Sequence, residues 1–392
     1  MLDRANKISA ELVRIRRDLH AHPEMGFNET RTAALVADTL REIGVDVREG
    51  VGRTGVVGTI GKGNGRVIGI RGDMDALPII EETDKPYIST NPGVMHACGH
   101  DAHTAMLLGV AHLLMQSYRQ NPWDGEIRLL FQPSEESSDK DGISGAMAMI
   151  ADDALTDADA VIALHVDSKH PAGLCRFADG YSMSAVDEFK IWVYGTGSHG
   201  AYPYTGTDPI QMIAHVLNAL YAIPSRRVDP LEPCVVSVGH IKGGATSNVI
   251  PAEVYLHGTL RSFSQEIRQQ LWDEVERAAK VCEAFGGTYK VAIKKGYPAT
   301  LNAPEINKVM REVTADLLGK EVIQVEKAFG MGAEDFSYMT QIAPGSMFML
   351  GAAIDDGIVR NHHTPIFDID ESVLPKGSAI LAESALRLVR GG

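Results

Sequence analysis

The densest group of reactive side chains in the sequence is His96-Ala97-Cys98-Gly99-His100-Asp101-Ala102-His103. Thiolate and imidazole are preferred ligands of zinc and other borderline transition metals, so the segment predicts a metal site. Cys98 and His100 fall two apart in a turn that precedes an expected helix over 101–117, and Asp101 and His103 fall in its first turn. The competing reading is a capped helix N-terminus with ordinary histidines, and for His96 and His103 taken singly that reading is preferred.

A second signal is Phe131-Gln132-Pro133-Ser134-Glu135-Glu136, where a strand ends and two carboxylates follow. Adjacent residues on an extended backbone point to different sides. One carboxylate can therefore hold a metal while its neighbour reaches a water beside it. Ligands in α/β proteins gather at strand ends, which favours this over two solvated glutamates. His165 closes the apolar strand Val161-Ile162-Ala163-Leu164-His165-Val166, and Arg360-Asn361-His362-His363-Thr364-Pro365 places paired histidines near the C-terminus. Cys98, His100, Glu136, His165 and one of the two C-terminal histidines would supply two metal ions sharing a bridge. Asp73 and Asp75 follow the strand Arg66–Gly72, where they could ligate directly or orient a ligand histidine.

These residues need a scaffold. A chain of 392 residues exceeds what one hydrophobic core usually serves, so two domains are expected. Helical spacing of Ile8, Leu12, Ile15 and Leu19, a helix over 30–43, and continuous apolar strands such as Val-Ile-Gly-Ile and Val-Ile-Ala-Leu predict α/β structure with strands buried on both faces. Between 184 and 297 the expected order changes to β-α-β-β-α-β, the split unit of a ferredoxin-like sandwich. The organisation predicted is an α/β domain over 1–183 and 298–392, interrupted by a smaller domain over 184–297.

Bulk composition narrows the partners. Thirty-seven basic against fifty-one acidic residues give a net charge of −14, which disfavours nucleic acid and anionic membranes. No apolar run approaches the roughly 20 residues needed to span a bilayer. Cys98, Cys175, Cys234 and Cys282 are widely spaced without a CxxC pair, and the charged N-terminus lacks the apolar core of a signal peptide. Cytoplasmic residence with reduced thiols is the expectation.

Taken together, IRRDLHAHPEMGFNE, RGDMDALP, HACGHDAH, FQPSEE, GSHGAYP, SNVIP, GTLRSF, GAEDF and HHTP resemble, in order and over essentially the whole chain, the M20 peptidase family and in particular its amidohydrolase branch of aminoacylases, hippurate hydrolases and auxin-conjugate hydrolases. The resemblance implies a metallopeptidase-like catalytic domain whose inserted domain is a lid that also mediates dimerisation. It implies that Cys98, His100, Glu136, His165 and His363 hold two divalent ions, zinc or manganese ahead of cobalt or nickel. It implies Glu135 as general base, Asp75 as the carboxylate behind a ligand, and His199 polarising the scissile carbonyl, in cis or from a partner subunit. Asn248 and Arg261 would hold the substrate carboxylate. The expected activity is hydrolysis of N-acyl-L-amino acids by a metal-bridged hydroxide, in a homodimer or homotetramer built through the lid. A dipeptidase or aminopeptidase is the alternative enzyme, although no acidic partner for a free α-amino group can be named. An inactive metal-binding scaffold is the non-enzymatic alternative, and the presence of Glu135 beside a full ligand set argues against it.

Overall fold

The computed structural model of the protein describes residues 1–391, which form two compact units. The first contains Met1–Gly180, Leu301–Ala328 and the chain from Asp335 onward; the second contains Tyr181–Thr300 and Phe329–Glu334. The excursion at 329–334 is bound to the second unit by main-chain bonds, Phe329 N–H to Ser182 O at 2.8 Å and Ser184 N–H to Gly332 O at 2.9 Å.

The first unit is built on an eight-stranded sheet. Its order is Asp46–Val51, Gly55–Lys62, Gly125–Gln132, Val67–Asp73, Ala160–Pro171, Gly345–Ala353, Cys175–Ala178 and Ile323–Glu326. The four strands from Gly125–Gln132 to Gly345–Ala353 run parallel, and antiparallel partners flank them. Ile68, Ile70, Ile162 and Leu164 are all buried, as the unbroken apolar runs require for strands covered on both faces. The strands at Asp46–Val51, Cys175–Ala178 and Ile323–Glu326 were not anticipated from sequence. Two of them span only four residues, too few to show alternation, and the first is largely exposed.

Helix His100–Gln120 lies against this sheet and is buried nearly all round, which explains its apolar composition on every face. It packs on helices Ser9–Ala21 and Leu374–Val389. Gly99 opens it with φ of 90°, and a Cβ there would come within 2.4 Å of Val166 Cγ2. Only glycine meets both demands, so the Cys98-Gly99-His100 turn can lie tight against the strand that carries His165. Asp101 anchors the helix start: Arg16 Nε lies 2.8 Å from its carboxylate, His20 Nδ1 also at 2.8 Å, and Arg16 reaches Asp368 at 3.1 Å. Arg16 and Asp101 are wholly buried, so losing one partner would strand a charge at a cost of about 3–5 kcal/mol.

The second unit runs Ala185–Tyr194, helix Pro209–Arg226, Cys234–Gly243, Glu253–Ser262, helix Gln265–Ala279 and Thr288–Lys295, a β-α-β-β-α-β order. Its four-stranded antiparallel sheet places Cys234–Gly243 and Thr288–Lys295 at the edges. Strict alternation of buried and part-exposed residues along Ala185–Tyr194 shows one covered face, where Phe189, Ile191 and Val193 meet Val216, Leu220, Leu271 and Val275. The second helix tightens to a 3₁₀ turn over Lys280–Phe285. A short ribbon pairs Ser198–His199 with Val249–Ile250.

Candidate metal centre

Five chain segments converge where the parallel strands Val67–Asp73 and Gly125–Gln132 end. Val67–Asp73 delivers Asp73 and, just beyond it, Asp75; Gly125–Gln132 delivers the Pro133–Glu136 turn; Ala160–Pro171 carries His165. The Cys98–His100 turn sits above them. The C-terminal histidine loop is drawn in by a main-chain bond from His363 N–H to Ala97 O at 2.8 Å, although His363 itself has a left-handed φ of 60°.

Donor atoms of Cys98, His100 and His165 lie within 4.8 Å of one another. The same holds for Cys98, Glu136 and His363, and for His100, Glu135 and Glu136. The three groups overlap, which is the arrangement expected if one set of side chains serves two neighbouring cations. Cys98 Sγ is 3.5 Å from His165 Nε2, and Glu136 Oε1 is 3.0 Å from His363 Nε2.

The imidazole tautomers leave the correct nitrogens free. Nδ1 of His100 donates to Asp75, whose carbonyl oxygen is at 2.9 Å and carboxylate Oδ1 at 3.1 Å. His100 Nε2 is therefore the nitrogen turned to the cluster; it is buried, has no hydrogen-bond partner among the described residues, and lies 3.6 Å from Asp73 Oδ2 and 3.9 Å from Glu136 Oε1. Nδ1 of His165 donates to Val166 O at 2.7 Å, which turns its Nε2 toward Cys98. A buried nitrogen among carboxylates is satisfied by positive charge, from a proton or a metal ion, so this set of thiol, imidazole and carboxylate fits a divalent metal.

Electrostatics agree. Burial opposes protonation of His100, yet Asp73, Asp75 and Glu136 outweigh it and lift the imidazole to about 10. Burial and the carboxylates of Glu136 and Glu135 push the Cys98 thiol well above its ordinary range. The carboxylates' share of both shifts registers negative charge that a dication would neutralise while favouring the thiolate.

His362 occupies a different place from its neighbour. Ser168 N–H points to its Nε2 at 3.4 Å, so its Nδ1 carries the proton and faces Cys98 Sγ at 3.7 Å. Burial first, and His165 next, depress it to about 3. A neutral imidazole with both nitrogens engaged is a hydrogen-bond donor to sulfur, which leaves His363 as the C-terminal residue with a nitrogen turned to Glu136.

In the second unit, His199 and Asn248 meet on the short ribbon, where Gly200 N–H donates to Asn248 O at 2.8 Å and Thr246 Oγ1 donates to Asn248 Oδ1 at 3.1 Å. Both side chains are exposed. Arg261 is half-buried in strand Glu253–Ser262 and donates to Leu260 O at 3.0 Å and to Thr259 Oγ1.

Sequence reasoning named Asp73 and His103 singly but did not single out Arg71, Gln132 or Asp335, which complete the frame beneath the centre. Asp73 accepts from His103 Nδ1 at 2.6 Å and pairs with Arg71 at 2.6 Å, while His103 Nε2 accepts Val166 N–H at 2.9 Å. Asp335 accepts from Gln132 at 2.7 Å and Ala146 N–H at 2.9 Å and lies 3.2 Å from Arg71. The signal was present, since Arg71, Gln132 and Asp335 stand in RGDMD, FQPSEE and GAEDF. What the sequence does not show is that distant polar residues share one buried network.

A parallel-stranded sheet carrying a thiol, imidazoles and paired carboxylates at its strand ends defines a metal-site hydrolase architecture. Residues 69–387 match the family model described as peptidase family M20/M25/M40. The chain is 39% identical to thermostable carboxypeptidase 1 of Saccharolobus solfataricus over 96% of this chain and 95% of that protein. It is 40% identical to N-acetyl-L-cysteine deacetylase of Bacillus subtilis over 97% and 89%. A solved structure, the Bacillus subtilis YXEP protein described as a dinuclear metal binding peptidase from the M20 family, superposes with a TM-score of 0.84 at 30% identity, covering 98% of this chain and 99% of that one. The chain belongs to the M20 peptidase family and is an amidohydrolase of that family.

Proposed function

We propose that the protein hydrolyses the amide bond of N-acyl-L-amino acids. The observation that carries this reading is the overlap of three donor groups around Cys98, His100 and Glu136, with Glu135 as an additional carboxylate in the same cluster. In this reading Cys98, His100, Glu136, His165 and His363 hold two divalent ions, zinc or manganese ahead of cobalt or nickel. When bound, the ions supply Lewis acidity that activates water and polarises the amide carbonyl. Glu135 takes the proton from the attacking water and returns it to the departing amine. Asp75 keeps His100 in the ligating tautomer. His199 stabilises negative charge developing on the carbonyl oxygen, in cis or from a partner subunit. Asn248 and Arg261 hold the carboxylate of the amino acid.

The names of the relatives support the leaving-group half of the substrate. A carboxypeptidase and an N-acetyl-cysteine deacetylase both release an amino acid that keeps its free carboxylate. The inserted unit is read as a ferredoxin-like lid through which the chain forms a dimer or tetramer; its strand Cys234–Gly243 lies at a sheet edge with much of its length exposed. Four free cysteines support a reducing, cytoplasmic setting, and no helix among the described residues is long and apolar enough to cross a membrane.

The test is turnover of N-acetyl, N-benzoyl and N-aminobenzoyl amino acids beside dipeptides with free and blocked α-amino groups, each with zinc, manganese, cobalt and nickel. Preference for N-acylated substrates bears the reading out. Preference for a free α-amino group would establish a dipeptidase or aminopeptidase, and no turnover with any metal would leave a binding scaffold.

A further inference from the structure

A constrained backbone lies at Ser134, immediately before Glu135 and Glu136. Ser134 adopts φ of 44°, a left-handed conformation that a residue with a side chain holds only when its surroundings enforce it. Glu29, fully buried and 105 residues away in sequence, accepts the Ser134 N–H at 2.8 Å through Oε1. Its Oε2 accepts the Thr54 hydroxyl at 2.5 Å. Gly26, from the same N-terminal segment, is pressed so closely on the turn that a Cβ there would lie 2.4 Å from Ser134 Oγ.

Glu29 stands at the N-cap of helix Thr30–Ile43. Its side chain makes no cap bond. Glu24 accepts the first-turn amides instead, Arg31 N–H at 2.9 Å and Thr32 N–H at 2.8 Å. Glu29 is thereby released to reach the Ser134 turn. Two residues later, Asp75 Oδ2 accepts the Glu136 N–H at 3.0 Å. The turn is held at both ends by a carboxylate on a backbone amide, with Glu135 between the two fixed points.

We propose that Glu29 is a positioning residue for the Glu135–Glu136 pair. By fixing the Ser134 amide it maintains the left-handed turn that brings both carboxylates into one cluster with His100. Burial, opposed by the bonds from Thr54 and the backbone, raises the Glu29 carboxyl to about 7, so its placement carries a cost that the turn must justify. The inference rests on the roles proposed above for Glu135 and Glu136.

The experiment measures zinc affinity by chelator competition, and kcat and KM at saturating zinc, in the full-length protein and its Glu29→Ala and Glu29→Gln variants. Glu29→Ala should weaken zinc binding about tenfold and lower kcat about 10–100-fold, with KM within about threefold, because oriented supports of metal sites have effects of this size. Glu29→Gln retains an oxygen for the Ser134 amide and an amide group for Thr54, so both quantities should stay within about threefold of the parent. Glu29→Ala values within twofold of the parent would overturn the proposal, as would Glu29→Gln falling as far as Glu29→Ala. If Glu29→Ala does not fold, Thr54→Val removes the Oε2 bond at nearly constant volume; a several-fold lower kcat is expected, and unchanged kcat and affinity would overturn the role. The parent and Glu135→Gln serve as controls. A parent inactive on N-acyl amino acids, or an active Glu135→Gln, would count against the proposed function, whereas the zinc-affinity measurements judge Glu29 independently of turnover.

Discussion

Asp75 grips His100 twice at one nitrogen, its carbonyl oxygen 2.9 Å and its Oδ1 3.1 Å from Nδ1, and its other carboxylate oxygen takes the amide of Glu136. One side chain thus orients two proposed ligands from different segments. In Asp75→Asn the side-chain oxygen can serve His100 or Glu136, but the amide nitrogen is a donor facing a donor at the other. Metal affinity should fall about 10–100-fold, and excess metal should restore part of the activity. Chelator competition with zinc measures this; an unchanged dissociation constant would remove Asp75 from the support of the centre.

Cys98 belongs to two of the three donor groups, so its loss should be felt at both ions. Elemental analysis of Cys98→Ala is expected to show at least one fewer metal ion per subunit, with turnover lost in step. Oxidation of the stripped protein should produce the same deficit, because a thiol without its metal is open to oxidation. A full metal complement in an active Cys98→Ala would show that the cluster is misassigned.

Much of this centre could be read in the sequence because its residues announce themselves by type: Cys98 and His100 in one turn, Glu135 and Glu136 after one strand, His165 as the polar residue of an apolar run that the structure extends to Pro171. The continuous apolar runs likewise gave the central parallel strands. Arg71, Asp73, His103 and Asp335 were harder to place. A buried carboxylate–arginine–histidine network has no spacing of its own, since its members meet only when separate strands come into register. Glu29 shows the same limit from another side: only the fold reveals that Glu24 accepts the first-turn amides while Glu29 reaches the Ser134 turn. The excursion of 329–334 into the second unit is invisible for a similar reason, being fixed by a few main-chain bonds that any residues could make.

Glu29 also sets a pH dependence. Its carboxyl rises from 4.5 to about 7 in the folded protein, so between these values the folded state keeps a proton that the unfolded chain has lost. The unfolded state binds fewer protons there, and this group's contribution to stability falls as pH rises through that window. Above it, the ionised buried carboxylate costs at most about 3 kcal/mol relative to acid conditions. Glu29→Gln abolishes the titration. The difference in Tm between variant and parent should therefore move in the variant's favour by roughly 2–5 °C between pH 5 and pH 8.5. Calorimetry at the two pH values checks it, and a difference that stays constant would show that Glu29 does not titrate in this range.

Arg261 is proposed to bind the substrate carboxylate, which predicts an effect on binding ahead of chemistry. Arg261→Ala should raise KM at least about tenfold for N-acetyl amino acids and much less for their carboxyl amides, since a hydrogen-bonded charge pair is lost only with the former. Steady-state kinetics on matched acid and amide substrates decides between this role and a purely structural one, for which both would suffer alike.

Glu135 and Glu136 give the sharpest discrimination, because they are adjacent in sequence and share a cluster with His100 yet are assigned different work. Glu136 faces His363 at 3.0 Å and has its amide held by Asp75, as suits a residue fixed for coordination. Glu135 is buried beside it and is left as the carboxylate able to move a proton. Glu135→Gln preserves shape and the ligand set, so it should bind metal and substrate normally while losing about 10²–10⁴-fold in kcat, the usual contribution of a positioned acid–base group. Glu136→Gln removes a charged ligand, so metal affinity should weaken first and activity follow. Titration with zinc and with manganese while turnover is followed separates the two. Added metal should recover a large part of Glu136→Gln activity and none of Glu135→Gln. Recovery of Glu135→Gln by metal would exchange the two assignments, and full activity in both variants would place the Pro133–Glu136 turn outside the chemistry.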